Sequence, residues 1–305
     1  ALLAGFLLAC LVTPSPGLQK DLPEPARSLD DGRLGRLRRA SASWELRTGP
    51  RREVVDVVCL VPDSATFFQA IASWDDSHWF PILIEDVEYT SKFLRAFRPA
   101  RIVRFPGRAR PVGGEGLWST AVASVGRAWT SDDENPPAGD RPPANLRRTP
   151  PGVVISNPSS PSITGAVALA AGRFQPLIRW EPGKPFEKLL PTADAEALAR
   201  ELQATVTRVV PDLDRLGDDC DFLTLALDYP YRYEGQGITA EAGPAAFDDL
   251  IGRHLDVPEP NLVRLRWAFT GRLLGDEVRS AYAALCSLFL RPVRATLLNS
   301  YGEGG

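Results

Sequence analysis

Histidine is nearly absent from this chain: two occur among 305 residues, His78 and His254. A hydrolase built on a Ser-His-Asp or Cys-His arrangement would have to use one of them. His78 stands between a helix-like segment and the start of a strand, and His254 follows a helix-like segment. Neither is a place where a parallel sheet presents catalytic groups. The sequence therefore argues against a hydrolytic centre within these residues.

The chain also lacks a glycine-rich phosphate loop. The segments PVGGEG at 111–116 and YEGQG at 233–237 match neither the dinucleotide nor the nucleoside-triphosphate spacing. The acidic run DDCD at 218–221 precedes its strand and is interpreted as a solvated turn. A net charge of −3 does not favour nucleic acid as the main partner. We predict no cofactor, no metal site and no nucleic-acid partner.

Cysteine is scarce, with four residues and no C-x-x-C spacing. Beyond Cys10, the remaining Cys59, Cys220 and Cys286 form neither a disulfide framework nor a zinc motif. Cys59 falls in an apolar strand and Cys286 on an apolar helix face. Both are predicted to be buried as small hydrophobic residues.

The first twelve residues, ALLAGFLLACLV, contain no charge. The run is too short to span a bilayer and fits the apolar region of a secretory signal. Ser15–Gly17 would suit cleavage before Leu18, whereas Leu7–Cys10 is like a loose bacterial lipobox that would make Cys10 a lipid anchor. Both interpretations predict an exported protein, with membrane attachment only through a lipidated Cys10.

The rest of the chain has a globular composition, 44% hydrophobic and 24% charged. Polar and proline-rich stretches divide it, the clearest being SDDENPPAGDRPPANLRRTPP with six prolines. The last section ends in a strand-like run, so we expect it to be truncated. The predicted sections are a leader at 1–17, a poorly ordered leader at 18–53, a first α/β unit at 54–130, a linker at 131–151, a second unit at 152–210 and a third section at 211–305.

Strands alternate with helices in the first unit. The run at 54–61, apolar apart from Asp56, is typical of a strand covered on both faces. Asp63 and Ser64 can then cap a helix, and further strands are predicted at 80–84 and 100–105. Alternation of this kind predicts parallel βαβ units.

The second unit repeats this pattern. GVVISNPSSPSITGAVALAAGRFQPLI at 152–178 aligns with the first unit at an offset of 96 and then 95 residues, so that Pro62 matches Pro158 and Pro81 matches Pro176. An internal duplication is one explanation, and convergence on a common βαβ composition is the other. The fold class predicted is α/β, Rossmann-like, with mostly parallel sheets built from repeated βαβ units.

Both units follow one order of elements: strand, polar turn, helix, short loop, strand, helix and strand. The first unit carries this order in VVCLVPDSATFFQAIASW, FPILIED and RPARIVRF, and the second unit has a counterpart. The order resembles that of the tandem Rossmann-like cell-wall-binding repeats of exported bacterial proteins. The likeness covers about 54–105 and 152–205. It implies an extracytoplasmic, secreted or cell-surface protein with a binding role.

Ligands of open parallel sheets meet the carboxyl ends of the strands. Polar residues that follow predicted strands are therefore the candidate ligand-binding residues. They are Asp63, Ser64, Asn157, Ser159, Ser160, Asp228, Tyr229, Tyr231 and Asn299. Ser160 with Pro161 is predicted to start a helix whose exposed amides would hold a carboxylate or phosphate. The alternative is that Ser160 and Asp63 only cap helices.

The segment YPYRYEG at 229–235 places Tyr229, Tyr231 and Tyr233 on one face if it is extended. Such a face can stack on sugars or peptide, or else pack on a helix as an edge strand. The leading hypothesis is an exported, non-enzymatic protein that binds a cell-envelope polymer or a surface protein. Two hypotheses remain open beside it: the amino-terminal part of a caspase-like or gingipain-like hydrolase with catalytic residues beyond Gly305, and a periplasmic small-ligand binder.

Overall fold

The computed structural model describes residues 52–105, 113–132, 134–141, 152–181, 191–210, 222–227, 250–255, 262–264 and 276–290. The predicted leader at 1–17, with Cys10, lies outside the described residues. So do Cys220 and all of the 18–53 segment before Arg52.

The first unit contains a three-stranded parallel sheet in the order β4-β2-β5. A two-stranded parallel pair, β1 with β3, stands beside it. The strands are β1 (Glu53–Val54), β2 (Val57–Val61), β3 (His78–Trp79), β4 (Ile82–Ile84) and β5 (Arg101–Arg104). The helices are α1 (Ser64–Ile71), α2 (Tyr89–Phe97) and α3 (Glu115–Arg127).

The remaining strands form a four-stranded parallel sheet in the order β7-β6-β8-β9. The strands are β6 (Gly152–Ser156), β7 (Leu177–Arg179), β8 (Phe222–Ala226) and β9 (Leu262–Arg264). The helices are α4 (Ile163–Arg173), α5 (Thr192–Val209) and α6 (Asp276–Phe289). Residues 250–254 are also helical.

The predicted fold class is confirmed: strands and helices alternate and the sheets are parallel. The two sheets share a local strand order: in each, the first long strand lies centrally, with the second on one side and the third on the other. In the second sheet the third strand is β8, which comes from the section predicted at 211–305. Cys59 of β2 pairs with Ile82 of β4, and Val154 of β6 pairs with Leu177 of β7. Duplication as the origin of this likeness stays a prediction.

Helix α4 lies at the centre of the described fold, and all eleven of its residues are buried. It packs on β6, β7 and β8 and contacts α1, α3 and α6. Glycine permits the closest of these approaches. A Cβ added at Gly165 would lie 2.7 Å from the Ser280 carbonyl oxygen, and one added at Gly172 would lie 2.8 Å from a Leu288 methyl carbon. At Gly165 the obstacle is backbone of α6, so this position has to lack a Cβ for α6 to pack as it does; at Gly172 it is the flexible end of a leucine side chain.

One hydrophobic core draws on all three predicted sections. It includes Phe67 of α1, Val154 of β6, Val167 of α4 and Leu285 of α6. The opposite face of β6 contributes to a second core, with α5 and residues 250–255. This division follows the alternation of side chains along a strand. The three sections are therefore parts of one packed body rather than separate domains.

Part of the proline-rich linker is packed too. The Gly139 carbonyl oxygen accepts a hydrogen bond from the Leu177 amide at 2.9 Å, at the start of β7. A Cβ added at Gly126 of α3 would lie 1.8 Å from the Pro137 carbonyl oxygen. The segment at 134–141 therefore joins α3 to the second sheet, where the composition had predicted only a boundary.

Replacing Gly165 with alanine tests the α4–α6 contact. In an ordinary helix Gly→Ala stabilises by about 0.4–1 kcal/mol. Here the added methyl meets backbone of α6, so we expect Gly165→Ala to lower the free energy of unfolding by about 1–3 kcal/mol. Urea denaturation followed by circular dichroism measures this. The matched control is Gly113→Ala, since a Cβ there meets nothing within 4 Å. A stabilised Gly165→Ala variant would show that the contact is absent.

Candidate functional site

The carboxyl ends of the strands form the edge at which parallel sheets bind ligands. We call the described residues at this edge the rim. The rim comprises 62–64, 85–86, 104–105, 157–160 and 179–181.

The first turn of α6 joins the rims of the two units. The Ser64 hydroxyl donates a hydrogen bond to the Glu277 carboxylate. The Thr164 hydroxyl donates to the Glu277 carbonyl oxygen at 2.5 Å and lies 2.9 Å from the Ser280 hydroxyl. Ser64 begins α1, the helix after β2, and Thr164 lies in the first turn of α4, the helix after β6. The amino ends of these two helices therefore meet at the first turn of α6.

Asp63 and Ser64 both have partners within the protein. Asp63 is exposed and is the N-cap of α1, where its Oδ1 accepts a hydrogen bond from the Thr66 amide at 2.7 Å. This is the capping role that aspartate commonly fills. The Asp63 side chain is fixed by this bond and still reaches solvent.

The structure corrects the predicted start of α4. The helix begins at Ile163 with Ser162 at its N-cap, so Ser160–Pro161 lies in a turn before it. Ser160 is buried; its hydroxyl donates to the Ala226 carbonyl oxygen at 2.7 Å and accepts from the Ser162 amide at 3.2 Å. Ser160 therefore ties the β6 loop to the end of β8.

The amides at the start of α4 already have acceptors within the protein. The Ile163 amide donates to the Ser160 carbonyl oxygen at 3.2 Å, and the Gly165 amide donates to the Ser280 hydroxyl at 3.3 Å. Both residues are buried. Two of the amides on which the predicted carboxylate or phosphate site depends are therefore already bonded within the protein, and the site itself stays a prediction.

Asn157 shapes the loop after β6. Its side-chain oxygen accepts from the Ser159 amide at 3.0 Å, and its side-chain nitrogen donates to the Trp180 carbonyl oxygen at 3.4 Å. The first bond is an Asx-turn, a common way for asparagine to organise a loop. Asn157 is buried while Ser159 is exposed. Of the predicted residues in this loop, Ser159 is the one that a ligand can reach.

Ion pairs complete the rim. Arg104 at the end of β5 donates to Glu85 after β4, through Nε at 3.0 Å and Nη2 at 2.8 Å. Arg179 at the end of β7 binds Glu115 of α3 through two bonds of 2.6 Å, and also binds Glu181. Hydrogen bonding to Arg179 lowers the pKa of Glu115 below its usual value.

Sequence reasoning missed these pairs, since their partners stand 19 and 64 residues apart. The available signal was an arginine close to the end of each strand-like run, in RIVRF and LIRW. Four further candidates, Asp228, Tyr229, Tyr231 and Asn299, lie outside the described residues.

The described cysteines and histidines lie outside the rim. Burial raises the pKa of Cys59 to about 11 and that of Cys286 to about 12, so both thiols stay protonated at neutral pH. His78 lies in β3, with Nδ1 3.5 Å from an Asp75 carboxylate oxygen. His254 ends the helical stretch before β9.

Within the described ranges, no group of three or more His, Cys, Asp or Glu side chains is placed to hold a metal ion. Across the same ranges, every helix is too short or too polar to cross a membrane.

Comparison of the chain with protein-family models, with curated proteins and with solved structures finds no match. The resemblance to cell-wall-binding repeats therefore stays a prediction. The class that the fold defines is a parallel α/β protein with a polar rim at the carboxyl ends of its strands.

Ser159 and Ser160 are neighbours in the loop after β6, but Ser160 is buried and bonded whereas Ser159 is exposed. Ser160→Ala removes a buried hydroxyl that joins β6 to β8, so we expect a loss of about 1 kcal/mol in the free energy of unfolding. Ser159→Ala changes an exposed side chain, and we expect a shift within about 0.5 kcal/mol. Urea denaturation of both variants beside the unsubstituted protein measures the difference. Equal effects at the two positions would contradict the assigned roles.

Proposed function

We propose that this chain is an exported, non-catalytic protein whose rim binds a polymer of the cell envelope. One observation carries the proposal: the amino ends of α1 and α4, the helices that follow β2 and β6, meet at the first turn of α6 through Ser64, Glu277 and Thr164. The rim of each unit is small by itself, and this contact brings the two rims together as one larger surface. A long polymer can contact such a surface at several points.

The polar groups of the rim support binding more than catalysis. Arg104, Arg179 and Asp63 are held by hydrogen bonds to their neighbours, and such bonds preorganise a binding surface. The Ser64 hydroxyl is bonded to the Glu277 carboxylate, whereas His78 lies in β3, which precedes β4 and so stands at the opposite edge. The described rim thus offers fixed donors and acceptors, and its Ser64 contact is with a carboxylate and not with a histidine.

The mixed chemistry of the rim favours a saccharide polymer. Sugar hydroxyls both donate and accept hydrogen bonds. The rim offers guanidinium donors at Arg104 and Arg179, and carboxylate acceptors at Asp63, Glu85 and Glu181. Arg104 is paired with Glu85 and Arg179 with Glu181, and these pairs fix the direction of the four side chains. Asp63 is fixed by its bond from the Thr66 amide. A few placed polar groups are what fixes orientation in a binding site.

Co-sedimentation with purified peptidoglycan sacculi tests the proposal. Ser159→Arg places a long charged side chain on the accessible loop of the rim, so we expect the bound fraction to correspond to at least a tenfold weaker affinity, about 1.4 kcal/mol. The matched control is Ser131→Arg, an exposed serine beyond the carboxyl-terminal end of α3 and away from the rim. This control should bind like the unsubstituted protein.

Three results would overturn the proposal or redirect it. Sedimentation no greater than that of serum albumin would contradict polymer binding. Equal loss in both variants would contradict the rim as the binding surface. Binding to crude envelope fragments that disappears after protease treatment of the fragments would identify a surface protein as the partner and contradict the polymer.

A further inference from the structure

Arg52 is buried, although its sequence context predicts a solvated basic leader. Its side chain is 8% exposed, and it is the first residue that the structure describes. Nη1 donates to the Ala171 carbonyl oxygen at 3.0 Å, and Nη2 donates to the Ala128 carbonyl oxygen at 2.5 Å. Ala171 lies in the last turn of α4 and Ala128 is the C-cap of α3. One guanidinium therefore binds the carboxyl-terminal ends of two helices.

Aromatic rings complete this site. The guanidinium carbon lies 4.0 Å from the ring centre of Phe174 and 5.7 Å from that of Trp79. We call Ala128, Ala171, Phe174 and Trp79 the Arg52 socket. The carboxyl end of a helix carries partial negative charge, and aromatic faces attract cations. Every component of the socket therefore favours a cation, and the aromatic faces suit a planar one.

Burial of the charge has a cost, which the surroundings partly offset. Desolvation lowers the pKa of Arg52 to about 9, while the negative charges of Asp75 and Asp76 act in the opposite direction. Lysine would not replace arginine here, because a single ammonium does not present two donors in a planar fork.

The backbone beside Arg52 is held as well. The Glu53 amide donates to the Ser77 carbonyl oxygen at 2.6 Å, and the Val55 amide donates to the Trp79 carbonyl oxygen at 2.9 Å. These bonds form the β1–β3 pair, which lies at the amino ends of the longer strands. Arg52 and β1 thus lie at the end of the sheet opposite to the rim.

We propose that the socket is a guanidinium-binding site, filled in cis by Arg52, which docks the start of β1 (Glu53–Val54) onto the ends of α3 and α4. Two features make it specific: the fork of two carbonyl oxygens and the flat aromatic wall. A socket emptied by substitution will accept a small alkylguanidinium from solution. The socket would bind a guanidinium group whatever the rim binds.

Chemical rescue of the full chain tests the proposal. We expect Arg52→Ala to lower the melting temperature, and ethylguanidinium chloride to restore about 2–4 °C of it at a concentration near ten times its dissociation constant. Ethylammonium chloride at equal concentration should restore nothing, and the unsubstituted protein should respond to neither salt. Arg101→Ala, at an exposed arginine of β5, is the control variant. Rescue by both salts, or by neither, would overturn the proposal.

If Arg52→Ala does not fold, the reactivity of Arg52 in the unsubstituted protein tests the socket instead. Phenylglyoxal modifies accessible guanidinium groups, and peptide mapping by mass spectrometry gives the rate at each arginine. We expect Arg52 to react at least tenfold more slowly than the exposed Arg101. Equal rates at the two positions would contradict the socket.

Discussion

The fold depends on the burial of α4 on every side. A helix buried all round must be apolar all round, and its neighbours limit how large its residues are. The sequence ITGAVALAAGR satisfies both conditions, with four alanines and two glycines. Its arginine stands at the carboxyl end, where a cation is favoured, and its threonine stands at the amino end, where the hydroxyl meets α6.

The two ends of α4 organise two different sites. At the amino end, Thr164 and the first turn of α6 bring the rims of the two units together. At the carboxyl end, Ala171 and the C-cap of α3 make the Arg52 socket. The rim and the Arg52 socket are therefore at opposite ends of the sheets.

Hydrophobic patterning predicted the strands and helices that a short stretch of sequence is enough to specify. The apolar runs of β2 and β6, and the alternation of strand and helix, were sufficient for the parallel α/β class. Patterning could not show that α6 packs between the units, because an amphipathic helix does not specify its partner. It also misplaced the start of α4 by two residues, since Ser160 and Pro161 have the composition of a helix start but form a turn. Arg52 was missed for a related reason: its carbonyl partners lie 76 and 119 residues away, and a basic context favours solvent.

Cooperativity between the two units tests the central role of α4 most directly. Native-state hydrogen exchange, followed by mass spectrometry over a series of low urea concentrations, gives the opening free energy of each segment. Since β2 and β6 contribute to one core around α4, peptides covering 57–61 and 152–156 should open together, with equal free energies and equal dependence on urea. Two separate transitions, with one sheet opening while the other stays protected, would contradict the account.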